Sequence, residues 1–252
     1  AGYKTYGFDA AKAWVKAGNS DSAFFHLQRL IEKRDFLDDE SRLTLEPDFE
    51  SLHNDLRWSR LRTLLFLKKD RREALRNDPL ALELERMYTL DQWYRMHWDS
   101  VIALHGRKSP EFADFLRRNR EQDSLNVVRM AQILDEQGWP GPDEVGEKGS
   151  KAVFLVIQHA DLPVQEKYLP AMRKAVAEGK AEASNLAYLE DRVLMRQGKP
   201  QRYGSQVIAD KQTGAWVLHP VEDPENLDKR RAAVGLGPIK DYLEMMGATW
   251  NQ

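Results

Sequence analysis

Apolar side chains recur at helical spacing through most of this chain. Ala10, Ala13, Trp14 and Ala17 mark one helix, Gly18-Asn19-Ser20 interrupts it, and Ala23, Phe24, Leu27, Leu30 and Ile31 resume the period. The pattern predicts a helical hairpin over 8–33, its second helix capped by Ser20 or Asp21. A third helical stretch is expected from Pro47, which suits a first turn, through Phe49, Leu52, Leu56 and Leu61. Residues 64–105 read as charged helix, with Leu80, Leu84, Met87, Tyr88, Trp93 and Val101 as the inward stripe. His105-Gly106 and Ser109-Pro110 punctuate it, and a long helix over 110–137 ends at Gly138. Trp139-Pro140-Gly141-Pro142 and Gly146 then form a compact turn, a candidate pocket rim.

Ala152 to Ile157 is apolar on every side, which suits either a buried helix or a central strand. The helical surroundings favour helix. Two further helices follow over 164–179 and 182–197, ended by Gly179 and Gly198. The period then changes: Tyr203 to Ala209 and Ala215 to Leu218 flank a polar turn with Gly214, the pattern of a two-stranded hairpin near 203–218. Asp223-Pro224 opens another helix, Gly235 to Pro238 stops it, and Ile239 to Met246 forms the last. The expected fold is mainly α. A helical hairpin repeat module at 1–66 packs on a helical domain at 67–252 that carries one small β-hairpin.

Composition narrows the function classes. With 252 residues, 42% of them hydrophobic, the chain can bury a full core. Lys+Arg 38 against Asp+Glu 40 leaves a formal charge of -2, no excess to drive binding to nucleic acid or an anionic membrane surface. No apolar run approaches the ~20 residues of a bilayer span. The opening Ala1-Gly2-Tyr3 has neither Met nor a signal core, as expected of a trimmed soluble chain. That is compatible with a cytoplasmic chain, or with a periplasmic or secreted one after signal removal. Cysteine is absent, which excludes thiolate metal sites and a cysteine nucleophile.

Candidate chemistry lies in the second half. On the helix from Ser184 to Gln197, Asp191 sits between Ala187 and Leu194 on one side and Tyr188 and Met195 on the other. A carboxylate there is buried and needs a partner, such as Arg192 or another arginine. It is either a structural ion pair or a site residue. Gln158-His159-Ala160-Asp161 emerges where the apolar run ends. His159 suits a general base or metal ligand, with Asp161 or Asp191 orienting its ring or adding a ligand; the plainer reading is a hydrogen-bonded structural histidine. Gln201-Arg202-Tyr203-Gly204-Ser205-Gln206 gathers amide, phenol, hydroxyl and guanidinium groups suited to a polar ligand, or to satisfying the hairpin's edge. Arg230, in a basic run, could meet a carboxylate or phosphate, although such runs are usually solvated faces. Asp91 and Arg95, at i,i+4, read as a surface ion pair. Zinc, phosphate-loop, dinucleotide and nucleophile-elbow motifs are lacking, so sequence names neither metal nor cofactor.

Two resemblances add to this. Residues 17–24 and 46–58, Ala17-Gly18-Asn19-Ser20-Asp21-Ser22-Ala23-Phe24 and Glu46-Pro47-Asp48-Phe49 onward to Trp58, resemble the end-of-group unit of tetratricopeptide-type repeats. The resemblance implies a structural module that offers a helical surface to a protein partner. From about residue 85 onward the chain resembles the bacterial family catalogued as domain of unknown function 6624. The resemblance rests on Asp91-Gln92 with Arg95, Gly138-Trp139-Pro140 with Val145-Gly146, Gln158-His159-Ala160-Asp161, the run from Leu186 to Val193, Gln201 with Tyr203-Gly204-Ser205-Gln206, Pro220 with Asp223, and Arg230-Arg231 with Gly235-Leu236. Ser205 stands where threonine is expected. The resemblance implies no reaction; it implies one site assembled from separate polar segments. The expected function is therefore small-ligand binding or a hydrolase-like activity, with His159, Asp161 and Asp191 for proton transfer or ligation. Gln158, Arg192, Gln201, Tyr203, Gln206 and Arg230 would hold a small polar ligand. The alternative is a noncatalytic protein–protein interaction module.

Overall fold

A computed structural model describes residues 2–32, 43, 46–75 and 78–250. Residues 33 and 76–77, which the helical patterns include, lie outside the described residues. The chain divides into two compact units, Ala1–Asn77 and Asp78–Gln252.

In the first unit, α1 (Gly2–Lys16) and α2 (Ser20–Glu32) form the expected hairpin. Gly7 allows their close approach, because a Cβ there would lie 2.7 Å from Leu30 Cδ2. The cap of α2 differs from expectation: Asn19 Oδ1 accepts from the Ser22 backbone N–H at 3.0 Å, and Ser20 already belongs to the helix. The stretch from Pro47 is also not one helix. Pro47–Leu52 is a 3-10 turn, and α3 (Leu56–Leu75) starts afresh because Asp55 Oδ1 accepts from the Arg57 N–H at 2.8 Å. Phe8, Phe24, Leu27, Ile31, Phe49 and Trp58 fill this unit's core, with Phe8 and Phe49 edge to face at 5.2 Å. Since α3 runs on to Leu75, the unit extends past residue 66.

The second unit opens with α4 (Pro79–His105), capped by Asp78 through the Ala81 N–H, and α5 (Pro110–Gln137), capped by Ser109 through the Phe112 N–H. After these come α6 (Pro142–His159), α7 (Leu162–Ala177) and α8 (Ala183–Arg196). Helix α4 runs along α6 and α5, while α7 pairs with α8. Ala152 to Ile157 is helical, as its surroundings suggest. Gly149 faces Leu84 of α4, a Cβ there falling 3.4 Å from Leu84 Cβ, an ordinary contact.

The inward stripe of α4 is Ala81, Leu84, Met87 and Asp91, which keeps Leu84 and Met87 of the expected one and replaces the rest. Trp93 is two residues beyond Asp91, about 200° round the helix, and is 47% exposed. Trp139, Pro140 and Gly141 are buried as a packed turn, and they line neither described cavity.

Strands β1 (Val207–Ala209) and β2 (Trp216–Leu218) pair antiparallel, Val207 opposite Leu218 and Ala209 opposite Trp216. Asp210 clasps the turn by accepting from the N–H groups of Gln212 and Thr213. A 3-10 turn, Pro224–Asn226, precedes α9 (Leu227–Ala233), and α10 (Ile239–Met246) follows. Leu218, Leu227, Ile239, Tyr242 and Leu243 form the small core beneath the hairpin. Among the described residues no helix is long and apolar enough to cross a membrane.

Candidate functional site

The residues singled out from sequence fall into two separate constellations. The first surrounds Asp191, which is fully buried. Its partner is not an arginine. Its two oxygens accept from the backbone N–H groups of Arg202 (2.7 Å), Tyr203 (3.0 and 3.2 Å) and Ser205 (2.9 Å). The chain at 202–205 can wrap the carboxylate because Gly204 takes φ 64, and a Cβ there would meet Ile239 Cδ1 at 3.0 Å. Burial pushes the Asp191 carboxyl up, against the pull of these amides.

The neighbouring polar residues serve the same loop. Gln201 Nε2 donates to the carbonyls of Gln206 (2.9 Å) and His219 (2.7 Å), and its Oε1 accepts from the Gln206 N–H (2.8 Å). Gln206 Nε2 donates to the carbonyl and hydroxyl of Ser205. Arg230 donates to the carbonyls of Arg202, Glu222 and Asp223 and pairs with the Asp223 carboxylate at 3.1 Å. Asp223 there holds a left-handed φ of 45, unusual for a residue with a Cβ. Arg231 is 2% exposed and donates to the carbonyls of Gly237 and Tyr203, both at 2.6 Å. Gln201, Gln206 and Arg230 are thus spent within the loop and its supports. Tyr203 is half-buried, its phenol pushed up by burial and by the charge of Glu190. Arg192 makes no hydrogen bond to either group: its Nε is buried with no partner among the described residues, and burial lowers its pKa.

The second constellation is built on α4, α5 and α6 around His159. Its Nδ1 lies 2.9 Å from Asp91 Oδ1, and Asp91 is 1% exposed. This corrects the surface-pair reading of Asp91 and Arg95. Arg95 Nη1 reaches the same Oδ1 at 2.9 Å, and Gln92 Nε2 donates to Oδ2 at 2.8 Å. Burial pushes the Asp91 carboxyl up, but the hydrogen bond and charge of His159, with the Arg95 charge, outweigh it and hold it below the usual range. An ionised Asp91 only accepts, so His159 Nδ1 carries the proton and Nε2 holds the lone pair in the neutral ring.

Asp123, on α5, lies opposite. Both its oxygens stand 3.5 Å from Arg95 Nη2. Burial and the nearby Asp91 charge push its carboxyl up, opposed by Arg95 and His159. Asp91, Asp123, Asn126, Val127, Val156 and His159 enclose a cavity of about 10 Å³, roughly the space of one water molecule. His159, Asp123 and Arg95 remain a quarter exposed, so the cavity has a mouth.

Asp161 and Asp191 do not join His159. Asp161 caps α7 at the Val164 N–H (3.4 Å) and is exposed. Gln158 points elsewhere, its Nε2 3.4 Å from the Tyr188 carbonyl. No three His, Asp or Glu side chains among the described residues converge as a metal-binding set.

Sequence reasoning missed Asp91 as a site residue, along with Asp123 and Asn126. The signal existed: Asp91 is seven residues from Leu84 and four from Met87, on the apolar stripe. Asn126 likewise falls four before Met130 on the buried face of α5.

Comparison with known proteins agrees with this division of the chain. No curated protein and no solved structure matches it. A family model described as a family of unknown function, DUF6624, matches residues 80–251, which covers α4 from its second residue through α10 and both constellations. The chain belongs to that family, DUF6624.

Proposed function

We propose that the protein is a hydrolase whose second unit uses His159 as a general base, held by Asp91, with Asp123 as the second ionisable group at the cavity mouth. One observation carries the reading. His159 is anchored through one ring nitrogen to a buried carboxylate at 2.9 Å, while the other has no partner among the described residues and the ring lines a cavity. A histidine kept only for structure has no need of a free nitrogen beside a cavity. Asp191 supports the fold of the 201–206 loop in this reading and takes no proton.

The test is hydrolysis of para-nitrophenyl acetate, para-nitrophenyl phosphate and leucine para-nitroanilide by wild type, His159→Gln and Asp91→Asn. The Gln amide can still donate to Asp91, so folding is preserved. Turnover of at least one probe, falling by about a hundredfold or more in His159→Gln with a melting point within about 2 °C, is the expected result. Hydrolysis that His159→Gln leaves unchanged overturns the reading.

The alternative, a noncatalytic interaction module, draws on different residues. Residues 1–66 would be a tetratricopeptide-type unit offering Trp14 and Phe25, 40% and 55% exposed, to a protein partner. Replacing both with Ser while hydrolysis persists separates the two roles.

A further inference from the structure

The cavity beside His159 contains an unmet hydrogen-bond donor. Asn126 is 3% exposed, and its Oδ1 accepts from Gln122 Nε2 at 2.9 Å. Asn126 Nδ2 then faces inward with no acceptor among the described residues. Buried donors of this kind are almost always satisfied, by protein or by ordered water. The enclosed space matches one water in volume, and its wall supplies the polar partners a water requires: the Asn126 amide, the Asp123 carboxyl and the His159 ring. Val127 and Val156 add the apolar part of the wall.

The same lining excludes two classes of nucleophile. It holds no serine, threonine or tyrosine, and the chain has no cysteine, so no side-chain hydroxyl or thiol is placed for attack. We infer that the cavity is a built site for one water molecule, that Asn126 positions it by donating to its oxygen, and that this water is the nucleophile His159 activates. The inference rests on the general-base reading above. In the step, the water oxygen forms a bond to the electrophilic carbon or phosphorus as one of its protons passes to His159 Nε2. The bond to the leaving group then breaks, and the leaving group takes that proton. An ester and water thus give an acid and an alcohol, with no oxidant or reductant. Asn126 touches the water and not the ring, so it is a positioning residue, and Gln122 holds it in turn.

A high-resolution crystal structure of the full chain tests the water without reference to turnover. The expected result is one density peak within about 3.2 Å of Asn126 Nδ2 and of His159 or Asp123. A dry cavity overturns the inference, whatever the fate of the hydrolase reading. The second arm replaces Asn126 with Leu, which keeps the branched shape and removes the donor, and compares Met130→Leu, a packing change at a fully buried position on the same helix. Against para-nitrophenyl acetate, Asn126→Leu is expected to lose about a hundredfold in kcat with little change in KM, while Met130→Leu stays near wild type. Should Asn126→Leu fold poorly, Asn126→Ser, smaller and still a hydrogen-bond donor, is expected to keep the density peak and part of the rate. If the density is present and Asn126→Leu matches Met130→Leu, the water is only a filler and the positioning role falls. If wild type hydrolyses no probe, the general base falls with the nucleophile, and the density alone decides the water site.

Discussion

Two buried aspartates answer the same physical problem in opposite ways. Asp191 is satisfied by backbone amides from one loop, Asp91 by side chains from its own helix and from α6. Asp191→Ala leaves three amides without their acceptor, and the expected loss is about 3 kcal/mol or more in a urea titration. Asp91 responds to pH. Because its folded pKa lies below the ordinary 3.8, its contribution is fully present above 3.8 and is lost as pH falls through the folded value. Asp123 and Asp191 are raised, so theirs run the other way and fade as pH rises through their folded values. The gap in melting temperature between wild type and Asp91→Asn is therefore expected to close as the pH drops below 3.8. A gap that widens on acidification contradicts the assignment. The burial of Asp191 was legible because apolar residues surround it on its helix. Its partners were not, since backbone donors from a loop eleven residues on leave no mark in composition. The same stripe argument applied to Asp91 finds a carboxylate in line with Leu84 and Met87. Its i,i+4 arginine gave a sufficient surface explanation, and that hid the longer-range pairing with His159.

At the scale of elements, the hairpin depends on the loop before it. Gly204 takes φ 64 against Ile239 and Leu227, so Gly204→Ala combines backbone strain with contact at 3.0 Å. It is expected to cost about 2 kcal/mol in chemical denaturation, with near-wild-type hydrolysis wherever the variant is folded. The loop also explains why β1 is only three residues long. The alternating pattern begins at Tyr203, but Arg202, Tyr203 and Ser205 give their N–H groups to Asp191, so pairing starts at Val207. Helix spans were read well where caps and apolar period agree, as at Ser109-Pro110 and Gly138 for α5. They were read badly where a side chain competes with the helix from within, as Asp55 does between the Pro47 turn and α3. Period alone cannot see such competition, because the apolar positions Phe49, Leu52 and Leu56 stay in phase across it.

For the whole molecule, the family match and the packing draw nearly the same line. The second unit begins at Asp78 and the match at residue 80, just inside the cap and first turn of α4. Every residue of the His159 site lies beyond that line, as does every partner of Asp191. A cut before Asp78 would keep the side chain that caps α4 through Ala81, and a cut after it would lose that cap, a difference of about 1 kcal/mol. A fragment of residues 78–252 is therefore expected to unfold in one cooperative transition and to hydrolyse the probe ester within about twofold of the full chain. A fragment starting at Pro79 should melt a few degrees lower, by about 2–4 °C. Circular dichroism on both, with the rate measured at a temperature where both are folded, checks the two expectations together. A folded 78–252 fragment with no activity would mean that the first unit supplies part of the chemistry, and the site drawn on α4, α5 and α6 would then be incomplete.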